Sequence, residues 1–212
     1  GGGEGPPPPP PPPVVLDVCC GAGTVSNSFL VSYKKIEKIC CVGICVGIEL
    51  NREAVRDARK NASENGFDAN CVYIDGEAEK IFKELEANCV YIDGEAEKIF
   101  KELEYHMPFG CPLNSYHMPF GCPLNSSQIF GVIDPPRAGV SDKVIIGCRR
   151  LNSLRTLCYV SCDPKAATKN LIDLCRPPSR KFDGDPFRIV DIQPVDLFPQ
   201  TEHVEWVIKL KR

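Results

Sequence analysis

The 212-residue sequence has no long hydrophobic run, little net charge, one tryptophan, three histidines and no Cys-x-x-Cys pair. Its longest predominantly apolar stretch, Ile39 to Leu50, is far shorter than the ~20 residues that a membrane-spanning helix needs, so no membrane span is predicted. The histidines, His106, His117 and His203, are not spaced with cysteines as zinc ligands. The sequence therefore predicts no metal site.

The N-terminus, GGGEGPPPPPPPP, lacks the basic start and the apolar segment of a secretory signal. The thirteen cysteines are therefore expected as reduced thiols, in the cytoplasm or the nucleus. Residues 1–13 are predicted to be a disordered Gly/Pro-rich leader. The net charge is only −3, with a small basic excess over residues 131–212. The whole chain therefore lacks the strong positive charge expected of a protein that binds nucleic acid by charge alone.

Two perfect tandem duplications occupy the middle of the chain. Ala69–Glu86 recurs as Ala87–Glu104, and Tyr105–Ser115 recurs as Tyr116–Ser126. The two periods differ and neither unit is copied twice, which excludes a solenoid of equal repeats. One copy of each unit is expected to be structurally redundant. Residues 14–212, with the duplications at 69–126, are interpreted as a single domain.

Apolar runs alternate with helical patterns once the duplicate copies are set aside. The predicted strands cover Val14–Cys20, part of Cys40–Leu50, Cys71–Ile74, Ile129–Ile133, Thr156–Val160, Ile189–Asp196 and Val204–Leu210, and the predicted helices cover Arg52–Asn65, Glu77–Leu85, Asp142–Leu151 and Pro164–Leu174. This alternation predicts an α/β fold, with a mostly parallel sheet covered by helices on both faces. Because no helix separates the last two strands, they are expected to form an antiparallel edge pair.

The first candidate site is DVCCGAGT, residues 17–24, at the end of the first strand. Gly21 and Gly23 would let the backbone approach a ligand at the carboxyl edge of the sheet, although a plain tight turn also explains them. Glu49 ends the second strand, where a carboxylate can accept both hydroxyls of a ribose. Neither a P-loop nor a full dinucleotide fingerprint is present. A nucleoside-bearing cofactor without a pyrophosphate, S-adenosylmethionine, fits this pattern best.

Three further motifs follow later strands. In DPPRAG, two prolines fix the backbone after the fourth strand and Asp134 is predicted to face the same crevice, unless it is simply a solvated carboxylate. Cys162 lies between the fifth strand and a helix start, where the helix dipole favours a thiolate, whereas most free cysteines are small buried hydrophobes. The loop DLFPQTEHVE offers a carboxylate at Glu205, so that a nucleophile and a base are both available.

DVCCGAGT, GIELNREAVRDARKNA, IDPPRAGVSDKVI, YVSCDPKAAT and DLFPQTEHVE occur in the order seen in the RNA 5-methyluridine methyltransferases, and the chain resembles this family. RRLNSLRTLCYVSC and LIDLCRPPS resemble the eukaryotic tRNA (uracil-5-)-methyltransferase branch. The resemblance covers the catalytic domain, Val14 to Arg212 without the duplicate copies. It implies a Rossmann-like fold that binds S-adenosylmethionine, acts as a monomer and methylates C5 of uridine 54 in the T-loop of tRNA.

The resemblance also implies a role for each matching residue. Cys162 would be the nucleophile that adds to C6 of uracil, and Glu205 would accept the C5 proton. The cofactor pocket would contain Cys19, Gly21, Gly23, Thr24, Glu49, Glu77 (or its duplicate Glu95) and Asp134.

Two alternatives and one departure accompany this interpretation. A truncated, non-catalytic binding module would keep the cofactor-like fold without turnover. An adenine N6-methyltransferase would need an aromatic residue after its DPP, where this chain has Arg137. Asp163 occupies a position that is usually Asn in the family, and it adds a negative charge beside a thiol that must ionise.

Overall fold

The computed structural model describes residues 14–36, 44–83, 129–201 and 203–212, which build one seven-stranded sheet with helices. The strands are β1 (Val14–Val18), β2 (Ile44–Glu49), β3 (Cys71–Asp75), β4 (Ile129–Ile133), β5 (Leu154–Ser161), β6 (Arg188–Val195) and β7 (Glu205–Lys211). The helices are α1 (Thr24–Ile36), α2 (Arg52–Glu64), α3 (Asp142–Arg150) and α4 (Pro164–Cys175), and residues 78–83 are also helical. The leader, residues 1–13, lies outside the described residues, as do the duplicate copies.

The strand order across the sheet is β3-β2-β1-β4-β5-β7-β6. Strand β1 pairs in parallel with β2 on one side and with β4 on the other, and β3 and β5 continue the parallel arrangement outward. The carboxyl ends of β1 to β5 consequently meet at one edge of the sheet. The strand order reverses between β1 and β4, and open α/β sheets bind ligands in the crevice at such a switch point.

Strand β7 runs opposite to both of its neighbours, β5 and β6. The predicted antiparallel pair of β6 and β7 is confirmed, with β6 at the edge of the sheet and the reversed strand one place inside it. Because β7 is reversed, its first residue, Glu205, lies at the edge where the parallel strands end. Ser161, the last residue of β5, pairs with Trp206.

Helices cover both faces of the sheet, as the strand–helix alternation predicted. On one face, Val15 of β1 and Cys45 of β2 pack with Val55 and Ala58 of α2. On the other face, Leu16 of β1 packs in a larger cluster formed largely by β4, β5, α3 and α4. Successive β1 residues point to opposite faces, and all five are buried. The α/β prediction is therefore confirmed.

Several element boundaries differ from those predicted. Strand β1 ends at Val18 rather than Cys20, because Cys19 adopts a φ of 63° and turns the chain out of the sheet. Strand β5 begins at Leu154 rather than Thr156. Its register against β4 is irregular at this end, and its first residues have no alternating pattern in the sequence. The helix predicted from Glu77 begins one residue later, and residues 84 and 85 of that prediction lie outside the described residues.

The C-terminal half is held together by two arginines that donate hydrogen bonds to backbone carbonyls. The fully buried Arg149 donates to the carbonyls of Asp173, Arg176, Asp183 and Gly184. Arg212 donates to a second set of carbonyls, at Cys148, Arg149, Leu151, Leu154 and Asp185. The last carbonyls of a helix lack partners within it, and these guanidinium groups supply partners for α3 and α4. The two guanidinium groups thereby link the ends of α3 and α4 to the C-terminal residue of the chain.

The described part of the first duplicated unit is integrated into the sheet and the core. Strand β3, within Ala69–Glu86, pairs with β2, and Phe82 is only 2% exposed in the core against α3. The second copies lie outside the described residues, so their redundancy stays a prediction. Since the position beside β2 holds one strand, only one copy can fill it at a time.

Deleting Ala87–Glu104 together with Tyr116–Ser126 should leave thermal stability unchanged or slightly higher. The loop-closure cost of the spare residues is roughly 1–2 kcal/mol at most. Because the units are identical, removal of either copy yields the same protein. Differential scanning calorimetry of the two chains would measure this change, and a clearly lower Tm in the shortened chain would mean that the second copies pack as separate elements.

A matched pair of variants identifies the copy that is used. Phe82 and Phe100 occupy equivalent positions in the two units. Phe82→Ala should destabilise the fold by about 3 kcal/mol, as expected for a buried phenylalanine, whereas Phe100→Ala should have little effect. Small losses from each single variant and a large loss from the double variant would show instead that the copies exchange places.

Candidate active site

The loop after β1 is folded tightly against β2. Cys19, Gly21 and Gly23 all have positive φ values, of 63°, 52° and 75°. The amides of Cys19 and Cys20 both donate to the carbonyl of Ile48, at 2.9 and 3.1 Å. A Cβ on Gly23 would lie 2.6 Å from the Tyr73 hydroxyl oxygen, so both the space and the backbone conformation require glycine there.

Glu49 is held by this loop at the end of β2. One carboxylate oxygen accepts from the Gly21 amide at 3.1 Å, and the other accepts from the Asn51 amide at 2.9 Å. The structure thus brings together the glycine loop and the carboxylate that the sequence had paired only by position. Carboxylate oxygens accept more than one hydrogen bond, so Glu49 keeps capacity for a ligand.

Asp17 is a buried carboxylate at the candidate site that the set of predicted site residues omitted. Its carboxylate is fully buried, and Oδ2 accepts from both the amide and the hydroxyl of Ser26, at 3.1 and 2.6 Å. Among the described residues, Oδ1 has no hydrogen-bond partner. Burial raises the pKa of Asp17. The signal in the sequence was a single carboxylate in the buried strand VVLDV.

Asp134, Cys162 and Glu205 meet at the carboxyl edge of neighbouring strands. Cys162 is half-buried directly after β5, and Glu205, at 9% exposure, begins the adjacent strand β7. Asp134 is an exposed residue, yet partial desolvation of its carboxylate raises its pKa. Burial also raises the pKa of Glu205, and the negative charge of Asp134 adds to this effect.

The crevice formed by these strand ends is strongly acidic. Burial raises the pKa of the Cys19 thiol to about 11, and the charges of Glu49, Asp134 and Asp17 contribute to this rise. Three carboxylates therefore surround the tip of β1. Such a crevice favours a positively charged ligand and disfavours a thiolate at Cys19.

The remaining predicted site residues lie at the rim. Thr24 is exposed at the first position of α1. The side chain of Glu77 is 43% exposed and forms an ion pair with Lys80 at 3.0 Å. Its position beside the crevice follows from the Gly76 amide, which donates to the carbonyl of Glu49. The duplicate Glu95 lies outside the described residues.

Cys162 lines a cavity of about 370 Å³. The walls of this cavity are Arg137, Cys162, Asp163, Pro164, Lys165, Phe198 and His203. The residue that departs from the family pattern, Asp163, caps α4: its Oδ1 accepts from the Lys165 amide at 2.9 Å. Asparagine caps helices equally well, so the cap does not require the carboxylate. The effect of the Asp163 charge on the Cys162 thiol stays a prediction.

The described residues contain no group of three or more His, Cys, Asp or Glu side chains able to hold a metal ion. None of their helices combines the length and apolarity that crossing a bilayer requires.

Known proteins match parts of the chain. A family model described as a methyltransferase domain matches residues 13–102. Human "tRNA (uracil-5-)-methyltransferase homolog A" is 52% identical over 87 residues, which are 41% of this chain and 14% of that protein. Human homolog B is 42% identical over 88 residues, which are 40% of this chain and 18% of that protein. The chain thus spans less than a fifth of these curated relatives.

A solved structure matches the fold over nearly the whole chain. The crystal structure of the [4+2]-cyclase SpnF superposes with a TM-score of 0.53 at 12% identity, covering 96% of this chain and 76% of SpnF. At this identity the likeness concerns the fold alone. Because that neighbour is described as a cyclase, the reaction has to be argued from the residues of the site.

Replacing Asp17 by Asn should flatten the pH dependence of stability. Burial raises the pKa of Asp17 above its ordinary 3.8, so its ionised form costs folding free energy. That cost is absent below the unfolded pKa and grows as the pH rises through the folded pKa. From about pH 4 to pH 7, the Tm of Asp17→Asn should therefore fall less, or rise more, than that of the wild type. Asp57→Asn, at an exposed position of α2, is the control, and parallel pH profiles for all three proteins would contradict the raised pKa of Asp17.

Proposed function

We propose that the chain transfers a methyl group from S-adenosylmethionine to C5 of uridine in RNA. The match of residues 13–102 to a methyltransferase domain and the similarity to the tRNA (uracil-5-)-methyltransferase homologs A and B support this proposal. The target we propose is uridine 54 in the T-loop of tRNA. The fold is the Rossmann-like methyltransferase fold that the sequence predicted. The observation that supports the proposal is the register of β5 and β7, which pairs Ser161 with Trp206 and so places the next residues, Cys162 and Glu205, at the same edge of the sheet.

The crevice suits S-adenosylmethionine in charge and in shape. The buried Asp17 oxygen, which has no partner among the described residues, together with Glu49 and Asp134, favours a sulfonium cation over an anionic nucleotide. Glu49 has capacity for the ribose hydroxyls, and Leu50 beside it is 71% exposed and offers apolar surface to the adenine. When bound, this cofactor supplies an electrophilic methyl group. The residues of the chain then have to activate the carbon and handle the proton.

Cys162 provides the activation. C5 of uracil is a poor nucleophile, but addition of the Cys162 thiolate to C6 would move electron density to C5. C5 would then be able to accept a methyl group from a sulfonium donor, whose sulfur would keep the electron pair of the broken bond. The thiol lines the cavity that would admit the uracil ring, next to the start of α4. The group that removes the C5 proton must reach C5 while the sulfur is bound to C6. This proton acceptor therefore has to come from a neighbouring element.

Glu205 is suited to be that base. After methyl transfer, C5 holds both the new methyl group and its original proton. Removal of this proton by Glu205 restores the double bond and expels the sulfur of Cys162, which returns as the thiolate. Burial and the charge of Asp134 raise the pKa of Glu205, and a raised pKa makes its carboxylate a stronger base. The buried position of Glu205 on β7 limits its movement.

Glu49→Gln should weaken S-adenosylmethionine binding about tenfold, because a neutral amide replaces a charged acceptor for the ribose hydroxyls. Isothermal titration calorimetry on the whole chain measures this effect. Glu53→Gln removes the same charge from an exposed position of α2 and should bind as the wild type does. Equal affinities for the two variants would remove Glu49 from the cofactor site.

Cys162→Ala and Glu205→Gln should fail at different steps. Without the thiol, neither methyl transfer nor a covalent RNA adduct should form. With Glu205→Gln, addition and methyl transfer remain available while proton removal is blocked, so a methylated protein–RNA adduct should accumulate. The assay is a denaturing gel after incubation with T-loop RNA and cofactor labelled in the methyl group.

Two results would contradict these roles. An adduct in Cys162→Ala would mean that another cysteine is the nucleophile. Cofactor binding by the wild type without any methylated RNA would favour a non-catalytic binding module.

A further inference from the structure

The cavity beside Cys162 contains two positive side chains that the mechanism does not use. Arg137 and Lys165 line it together with two rings, Phe198 and His203. Both cations are exposed. Within the described part of the chain, neither forms an ion pair. Nearby lysines behave differently, since Lys169 and Lys181 both pair with Asp142.

Lys165 occupies an unfavourable position for a cation. It lies in the first turn of α4, where the positive end of the helix dipole repels a positive side chain. The Asp163 carboxylate beside it accepts from the backbone amide of Lys165. Asp163 therefore caps the helix, but its side chain forms no ion pair with the Lys165 ammonium group among the described residues. A single bound anion would satisfy both Lys165 and Arg137.

The size and lining of the cavity restrict that anion. A volume of about 370 Å³ falls at the lower end of small-ligand sites and suits a single extruded nucleotide better than a duplex. Phe198 and His203 lie edge to face, with centroids 6.2 Å apart, and offer ring surface for a base. A nucleotide whose base reaches Cys162 carries its phosphates toward the rim of the same cavity.

We propose that Arg137 and Lys165 form a phosphate clamp that binds the RNA backbone next to the target uridine. This proposal rests on the proposed function, because it assigns the substrate-binding part of the same site. The guanidinium group of Arg137 can donate two parallel hydrogen bonds to one phosphate, and Lys165 adds a second positive charge. The clamp accounts for RNA binding by a chain whose net charge is negative: a few placed cations replace a broad basic surface.

The test combines amino-acid substitutions in the protein with the replacement of one phosphate linkage in the RNA. The full chain is titrated with a single-stranded oligoribonucleotide containing one uridine, with either a normal or a methylphosphonate linkage beside that uridine. The variants are Arg137→Ala/Lys165→Ala and a charge-matched control, Arg155→Ala/Arg180→Ala, whose residues are exposed and lie outside the cavity wall. Fluorescence anisotropy gives the affinities, and calorimetry with S-adenosylmethionine checks that each variant keeps its fold.

The wild type and the control should lose about tenfold in affinity when the charged linkage is replaced. Arg137→Ala/Lys165→Ala should bind normal RNA about tenfold more weakly and should be insensitive to the methylphosphonate. The slope of its log affinity against log salt concentration should also become shallower, by about 0.7 for each phosphate that the variant no longer neutralises. A methylphosphonate penalty that persists in this variant would overturn the clamp, as would RNA binding equal to that of the control or no RNA binding by the wild type.

Methyl transfer is scored separately on the same samples. Coupling between the cations and the phosphate without C5 methylation would refute the proposed reaction and leave the clamp intact. Methylation without this coupling would support the proposed reaction and refute the phosphate clamp.

Discussion

Strand β1 is buried along its whole length between β2 and β4, and the position of the site follows from that burial. With both edges of β1 paired, the chain has to leave the sheet at Val18, and Cys19 to Gly23 must turn within a narrow space beside Ile48. The buried pair of Asp17 and Ser26 ties the end of β1 to the first turn of α1. This one interaction fixes the loop whose Gly21 amide holds Glu49.

The second constraint is the reversal of β7. In an all-parallel sheet, the first residue of the last strand would lie at the opposite edge from Cys162. Reversal of β7 between β5 and β6 brings Glu205 beside the end of β5 and near Asp134. One change of direction therefore places a buried carboxylate next to a thiol. The two kinds of charge are separated along this edge of the sheet. Carboxylates lie around the end of β1, and cations line the cavity that also contains Cys162.

Much of this arrangement could be predicted from the sequence, since buried strands such as β1 and β4 are short apolar runs closed by Gly or Pro. The motifs that follow the strands point to Glu49, Asp134 and Cys162 by their positions along the chain. Other features depend on tertiary contacts and leave weaker local signals. The positive φ of Cys19 depends on Ile48, 29 positions along the chain, and the partners of Arg149 come from the end of α4 and from the chain that follows it. The duplicated units are identical in sequence, so no sequence pattern can tell which one pairs with β2.

The central claim is that Cys162 attacks C6 of a uridine. An RNA containing 5-fluorouridine tests it directly, because the fluorine takes the place of the proton that Glu205 would remove, and the covalent intermediate cannot resolve. The complex would be formed with the wild-type chain and S-adenosylmethionine, digested with protease and nuclease, and analysed by mass spectrometry. We expect a nucleotide carrying the transferred methyl group on the peptide that contains Cys162. An adduct on another cysteine, or C5 methylation of normal uridine with no adduct on the fluorinated RNA, would contradict the account.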